Sequence, residues 1–171
     1  MALIKPLRGF TPVIGENTFL AENATIIGDV TIGRDCSIWF STVLRGDVNK
    51  ITIGDRVNIQ DGVVVHTLYQ RSVTVIGNDI SIGHNANIHG ARIEDKCLIG
   101  MGATVLDHAV VGTGSIVAAN SLVLSKTGQR LRRRTGAARE GRDAGTGARH
   151  HRTHGPRLHD VRFVVQIAGK P

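Results

Sequence analysis

The chain has 171 residues, enough for one domain with a sizeable core and too few to expect two. Its net charge of +7 is uneven: from Lys126 onward 12 Lys and Arg face 3 acids, leaving 9 bases and 11 acids in residues 1–125, which argues against a specific nucleic-acid partner. Two cysteines with no CxxC pair exclude a disulfide framework and fit a reducing compartment.

The opening segment, MALIKPLRGF, lacks the apolar run of a signal peptide, and no later stretch reaches membrane-spanning length. A soluble, cytoplasmic protein without membrane contact is expected. With only 4 Phe, 1 Trp and 1 Tyr, the core must be built from Ile, Val and Leu.

From Ile14 the chain falls into a six-residue step, with aliphatic anchors at Ile14, Leu20, Ile26, Ile32, Ile38 and Leu44. After a three-residue insertion the step resumes at Ile53, Ile59 and Val65. Five extra residues within HTLYQRSVTVI then precede Ile76, Ile82 and Ile88. One step is a residue short, and Ile93, Ile99, Val105, Val111, Val117 and Val123 complete the series. The fourth residue after an anchor is small, as at Thr18, Ala24, Cys36, Ala86, Cys97 and Ala103, and Gly often follows the anchor directly.

A period of six matches neither the 3.6 of a helix nor the 2 of an alternating strand. It fits a solenoid of three short strands per coil, with anchors pointing inward and small residues in tight corners. Glycine is expected to supply the backbone freedom that repeated corners need. The 18 anchors make about six coils, and the pattern resembles the hexapeptide repeat of left-handed parallel β-helices. The expected fold class is therefore all-β, a single left-handed β-helix domain over 10–125.

This frame places the histidines. Val65 to Ile88 is three steps, one full coil, so His66 and His89 occupy one column on one face, with Arg45 a coil earlier. Neighbouring strands lie about 4.8 Å apart, close enough for two imidazoles to share a metal at about 2.0–2.1 Å each. His84, two residues after Ile82, belongs near another corner with Asp61 a coil below it, and a threefold-related prism could bring it to the first pair. Cys36 and Cys97 fall at the small inward position and read as core residues, and His108 reads as a solvated surface residue.

LRGDVNKITIGDRVNIQDGVVVHT, followed by IGHNANIHG and LIGMGATVLD, resembles the gamma-class carbonic anhydrases and their relatives from roughly Phe10 to Leu124. The resemblance implies a homotrimer that binds zinc, or iron or cobalt, at each subunit interface. Its ligands would be His66 and His89 of one chain and His84 of the next. By the same resemblance Arg45 and Asp47 form the family's Arg-Asp pair, Arg45 bridging to carboxylates across the interface. Asn58, Gln60 and Asp61 match the family's Asn, Gln and Asp, with Gln60 holding the metal's water or bicarbonate. The implied reaction is reversible hydration of carbon dioxide by a hydroxide formed on the metal.

The best-known members move the proton with two glutamates. Here Val48 follows Asp47, and the loop HTLYQRS carries no acid, so weak activity is implied, with Tyr69 the candidate helper. Two other readings stay open: an acyltransferase using acyl-CoA, with a histidine as base, and a metal-binding trimeric assembly protein without catalysis.

After Leu124 the step stops. Residues 126–171 are basic and poor in apolar residues, a composition that implies disorder. Relatives continue instead with a YAGxPAR turn and a C-terminal helix resembling YMMYASWF. Moving one base forward, the codons allowed from Leu131 to Ala137 can spell Tyr-Ala-Gly-Val-Pro-Ala-Arg, and those from Leu158 to Val165 can spell Tyr-Met-Met-Tyr-Ala-Ser-Trp-Phe. Both motifs arise in one frame and in family order, so the tail reads as a frameshift product. Sequencing the source gene across roughly codons 125–130 should show one missing or extra base. An intact frame, with the written tail found in native protein by mass spectrometry, would refute a sequence error.

Overall fold

The computed structural model describes residues 1–128 and the strand Arg162–Val164. That strand pairs in parallel with Ser115–Val117. Otherwise, from residue 129 on, the expectations for the tail lie outside the described residues.

The strands between Leu3 and Val123 pair in parallel with those one coil above or below, and no helix occurs among the described residues. The anchors form three registered columns of six. One runs Ile14, Ile32, Ile53, Ile76, Ile93, Val111. The second runs Leu20, Ile38, Ile59, Ile82, Ile99, Val117. The third runs Ile26, Leu44, Val65, Ile88, Val105, Val123. The protein is a left-handed parallel β-helix of about six coils.

Sixteen of the 18 anchors are no more than 2% exposed. Only Ile14 and Leu20, in the first coil, are half-buried. Strands Thr25–Ile32 and Val43–Ile53 run through one corner and join two faces into a single 11-stranded sheet, while the third face is a 7-stranded sheet. At the N-terminal end, Leu3–Lys5 pairs with Thr25–Ile27, so residues before the expected 10–125 span extend the sheet.

Cys36 and Cys97, both 3% exposed, are free thiols in the corners. Their sulfurs donate to the carbonyls of Gly54 and Gly112 at 3.2 and 3.1 Å, and burial pushes both thiols up. No helix of the structure, among the described residues, is long and apolar enough to cross a membrane.

The glycines that follow anchors have a different cause from the one expected. Glycine does serve the left-handed corner positions at Gly62, Gly102 and Gly114, but most of them are held by other residues: Asn17, Asp35, Arg56, Asp79 and Lys96 at one corner, and Ser41, Asn85 and Asn120 at another. The glycines after anchors, such as Gly54, do not have positive φ. They are glycine because coils touch there: a Cβ on Gly54 would come within 2.6 Å of the Gly77 carbonyl oxygen. Gly54→Ala should therefore cost about 1–3 kcal/mol through overpacking. Lys96→Gly, at φ 60°, should change stability by less than about 1 kcal/mol. Urea unfolding of both variants compares them, and a Gly54→Ala protein as stable as wild type would remove close approach as the reason.

Candidate metal centre

His66 closes the strand Val64–His66 and His89 closes Asn87–His89, and the two residues are register partners. Each follows a buried anchor, so alternation along the strand turns both imidazoles out of the same face. The ring centroids are 5.1 Å apart, and Nδ1 of His66 lies 3.1 Å from Nε2 of His89.

The other nitrogen of each ring meets a carboxylate. Nε2 of His66 is 2.9 Å from Oδ1 of Asp47, whose Oδ2 accepts from Arg45 Nη1 at 2.6 Å. Nδ1 of His89 is 3.0 Å from both oxygens of Asp107, and Asp107 Oδ1 also accepts from Ser72 Oγ at 2.7 Å. An ionised carboxylate only accepts, so each imidazole turns its N–H outward and its lone pair inward. Two lone pairs 3.1 Å apart repel unless a proton or cation lies between them. Ligand nitrogens on a tetrahedral zinc stand about 3.3 Å apart, given bonds of about 2.0–2.1 Å. The donor set fits a metal ion.

Burial lowers the His66 pKa despite the pull of Asp47, which favours the neutral ring a metal requires. For Asp47, burial acts to raise the carboxyl, but His66 and Arg45 outweigh it and hold it below its usual range. Asp107 is held low in the same way, against burial, by Ser72 and His89.

His84 belongs to another face. With Trp39, Asn58, Gln60 and Asp61 it lines a cavity of about 270 Å³. Its Nδ1 is 2.9 Å from Asp61 Oδ2, so the third histidine is also backed by an aspartate, while half of its side chain stays exposed. Asn58 is held by three hydrogen bonds: its Oδ1 accepts from Ser37 Oγ at 2.9 Å and Trp39 Nε1 at 2.8 Å, and its Nδ2 donates to Ser81 Oγ at 3.3 Å. Among the described residues the Gln60 side chain makes no hydrogen bond. Tyr69 joins neither cluster; it is 57% exposed and its hydroxyl accepts from Gln70.

The fold thus gathers Arg45, Asp47, His66 and His89 at one place and Asn58, Gln60, Asp61 and His84 at another. Among the described residues no three possible ligands converge within the chain. Sequence reasoning missed Asp107 and Ser72. Asp107 stands two residues after its anchor, whereas His89 stands one after, so column counting does not pair them.

Known proteins share this arrangement of sequence. The profile for "Bacterial transferase hexapeptide (six repeats)" matches residues 11–46 and 90–125. The Arabidopsis thaliana protein named "Gamma carbonic anhydrase 2, mitochondrial" is 47% identical over 122 residues, 68% of this chain and 44% of that protein. A Geobacillus kaustophilus protein named "Carbonic anhydrase" is 44% identical over 66% of this chain and 61% of its own length. A solved structure, a hexapeptide transferase family protein from Anaplasma phagocytophilum, superposes with a TM-score of 0.70 at 45% identity, covering 73% of each chain. The chain belongs to the hexapeptide-repeat family, and the plant and Geobacillus relatives it matches carry the carbonic anhydrase name. It spans about half of the plant relative and three-fifths of the bacterial one. The family profile leaves unmatched residues 47–89, which hold both insertions and all three of the histidines described above.

Trp39 is the only tryptophan and lines the His84 cavity, so its fluorescence reports on that cavity. Addition of copper(II), a quenching ion that imidazole binds well, should reduce Trp39 emission saturably, and His84→Ala should abolish the effect. Equal quenching in the variant would dissociate His84 from metal uptake.

Proposed function

We propose that the protein is a gamma-class carbonic anhydrase-like enzyme of the cytoplasm that interconverts carbon dioxide and bicarbonate. It works as a homotrimer with a metal ion at each interface, held by His66 and His89 of one chain and His84 of a neighbour. The observation that carries this reading is the pair of inward lone pairs on His66 and His89, each fixed by an aspartate. The names of the relatives at 47% and 44% identity support the same chemistry.

Three neutral imidazoles suit zinc, with iron or cobalt as alternatives, and leave a coordination position open. The metal, when bound, supplies a Lewis acid that makes water nucleophilic near neutral pH. The chain's own residues do the rest. Asp47, Asp61 and Asp107 fix the three rings. Gln60, whose carboxamide beside His84 has no hydrogen bond among the described residues, can hold an oxygen of the substrate. Asn58, held by Trp39, Ser37 and Ser81, shapes the wall next to it. Arg45 is 44% exposed beyond its bond to Asp47 and can also reach a neighbour's carboxylates.

Val48 and the acid-free loop after His66 provide no carboxylate to carry protons away, which makes the enzyme slow. Phe19, Trp39 and Leu98 on the His84 face, and Val64 beside His66, are exposed apolar side chains that subunit packing would cover. A second reading, acyl transfer from acetyl-CoA, is favoured by the transferase family name of the Anaplasma neighbour.

Purified protein should behave as a trimer with one metal per chain and hydrate carbon dioxide in a chelator-sensitive way. A metal-free monomer unable to take up zinc would sink the reading, and chelator-insensitive acetyl transfer would favour the second. Metal uptake without hydration would favour a non-catalytic assembly protein. His66→Ala and His84→Ala proteins should each lose tight zinc, because two imidazoles make a poor site. Refolded together they should form mixed trimers in which some interfaces regain all three ligands, so part of the zinc returns. No recovery despite proven mixing means the histidines are not shared.

A further inference from the structure

Asp107 and Ser72 stand behind His89 in an arrangement that does more than fill space. Resting on the metal-binding reading, we infer that they form a relay that sets the tautomer of His89, with Asp107 as its positioning residue and Ser72 as the group that orients Asp107.

The loop between His66 and Thr74 is tied down first. Asn49, from the earlier insertion, donates through Nδ2 to the carbonyls of Leu68 at 2.7 Å and Ser72 at 2.9 Å. Ser72 Oγ accepts from the Leu68 N–H at 3.0 Å. With that lone pair occupied, the hydroxyl proton is directed at Asp107 Oδ1, 2.7 Å away. Asp107 in turn faces His89 Nδ1 with both oxygens at 3.0 Å. The N–H of His89 is thereby fixed on Nδ1, and the lone pair on Nε2 is turned toward His66. The packing around the relay is tight: a Cβ on Gly90 would overlap both Ser72 Oγ and Asp107 Oδ1, and its φ is +58°.

The chemistry predicts an unusual coupling. Asparagine at 107 would have one acceptor and one donor where the carboxylate had two acceptors. The Ser72 proton would hold the amide oxygen at the Oδ1 position and so leave the NH₂ at the Oδ2 position, which lies 3.0 Å from His89 Nδ1. A donor there favours the tautomer with its proton on Nε2, which removes the lone pair from the metal side. Deleting the Ser72 hydroxyl as well would free the amide to rotate and offer its oxygen to His89. The second substitution should therefore repair part of the damage done by the first. Groups that only fill space would give additive losses.

The test uses the full chain and two measurements. Zinc affinity is read by competition with a chromophoric chelator, and the His89 tautomer by imidazole nitrogen chemical shifts in metal-free protein. Asp107→Asn should weaken zinc by about ten- to a hundredfold and move the His89 proton from Nδ1 to Nε2. Ser72→Ala should stay close to wild type in both measurements. The double variant should bind zinc more tightly than Asp107→Asn and recover the Nδ1–H tautomer. Wild-type zinc binding with an Asp107→Asn protein that binds equally well and keeps Nδ1–H overturns the relay and leaves the metal reading standing. A double variant weaker than Asp107→Asn also overturns it. If wild type takes up no zinc, the metal reading fails, and the nitrogen shifts alone decide the relay. If Asp107→Asn does not fold, Asp107→Ala decides: a mixture of the two His89 tautomers supports the relay, and a His89 that keeps Nδ1–H as fully as wild type overturns it.

Discussion

Each anchor of the solenoid stands directly above or below its counterpart one coil away, and that vertical register is the constraint on which the rest depends. It follows from parallel pairing at one strand spacing, about 4.8 Å, enforced by three columns of buried anchors. A shift of one residue in any coil would turn its anchors out of the core and its polar residues in. The register explains why two histidines 23 residues apart in the chain meet at 3.1 Å. It also explains the corner pairs Arg56–Asp79 and Asn17–Asp35, which are neighbours only through stacking.

Against so regular a background, the interruptions carry the chemistry. The three breaks in the six-residue step, after Leu44, Val65 and Ile88, belong to one column in successive coils. They fall at one corner, beside the His66–His89 pair. The first break brings Asp47 to His66 and Asn49 to the following loop. The second brings Ser72 to Asp107. At the third, the chain bends through Gly90, next to His89, at φ +58°. A solenoid without interruptions would present the two imidazoles and Asp107, but it would lack Asp47 beside His66 and Ser72 behind Asp107.

Much of this was legible in the sequence because it depends on counting. The anchors, the coil number and the shared column of His66 and His89 all follow from a period of six and a coil of three steps. The separate location of His84 with Asp61 follows in the same way. What counting misses lies where residues lean across columns or leave the period. Asp107 reaches His89 diagonally, and Ser72 reaches Asp107 from an insertion that has no register. The glycines were visible, but their reason was not. A sequence shows that a side chain is missing, whereas only stacked backbones show that no atom fits. Left-handed corners held by Arg56 and Lys96 were hidden as well, since neither residue type prefers that conformation.

Position along the prism axis has one more consequence. His66 and His89 follow the third and fourth members of a six-residue column, so two coils separate them from either end of that column. In a stack where each layer touches only its neighbours, disturbance decays from the ends inward. Fraying at either rim costs the outer coils their partners and leaves the middle pair buried between intact layers. A gene in which the last coil has been extended, trimmed or rewritten can thus keep this cluster, because none of His66, His84 and His89 and none of the aspartates beside them comes from a terminal layer. Such a scaffold separates the part of the chain that evolution can alter freely from the part that it cannot.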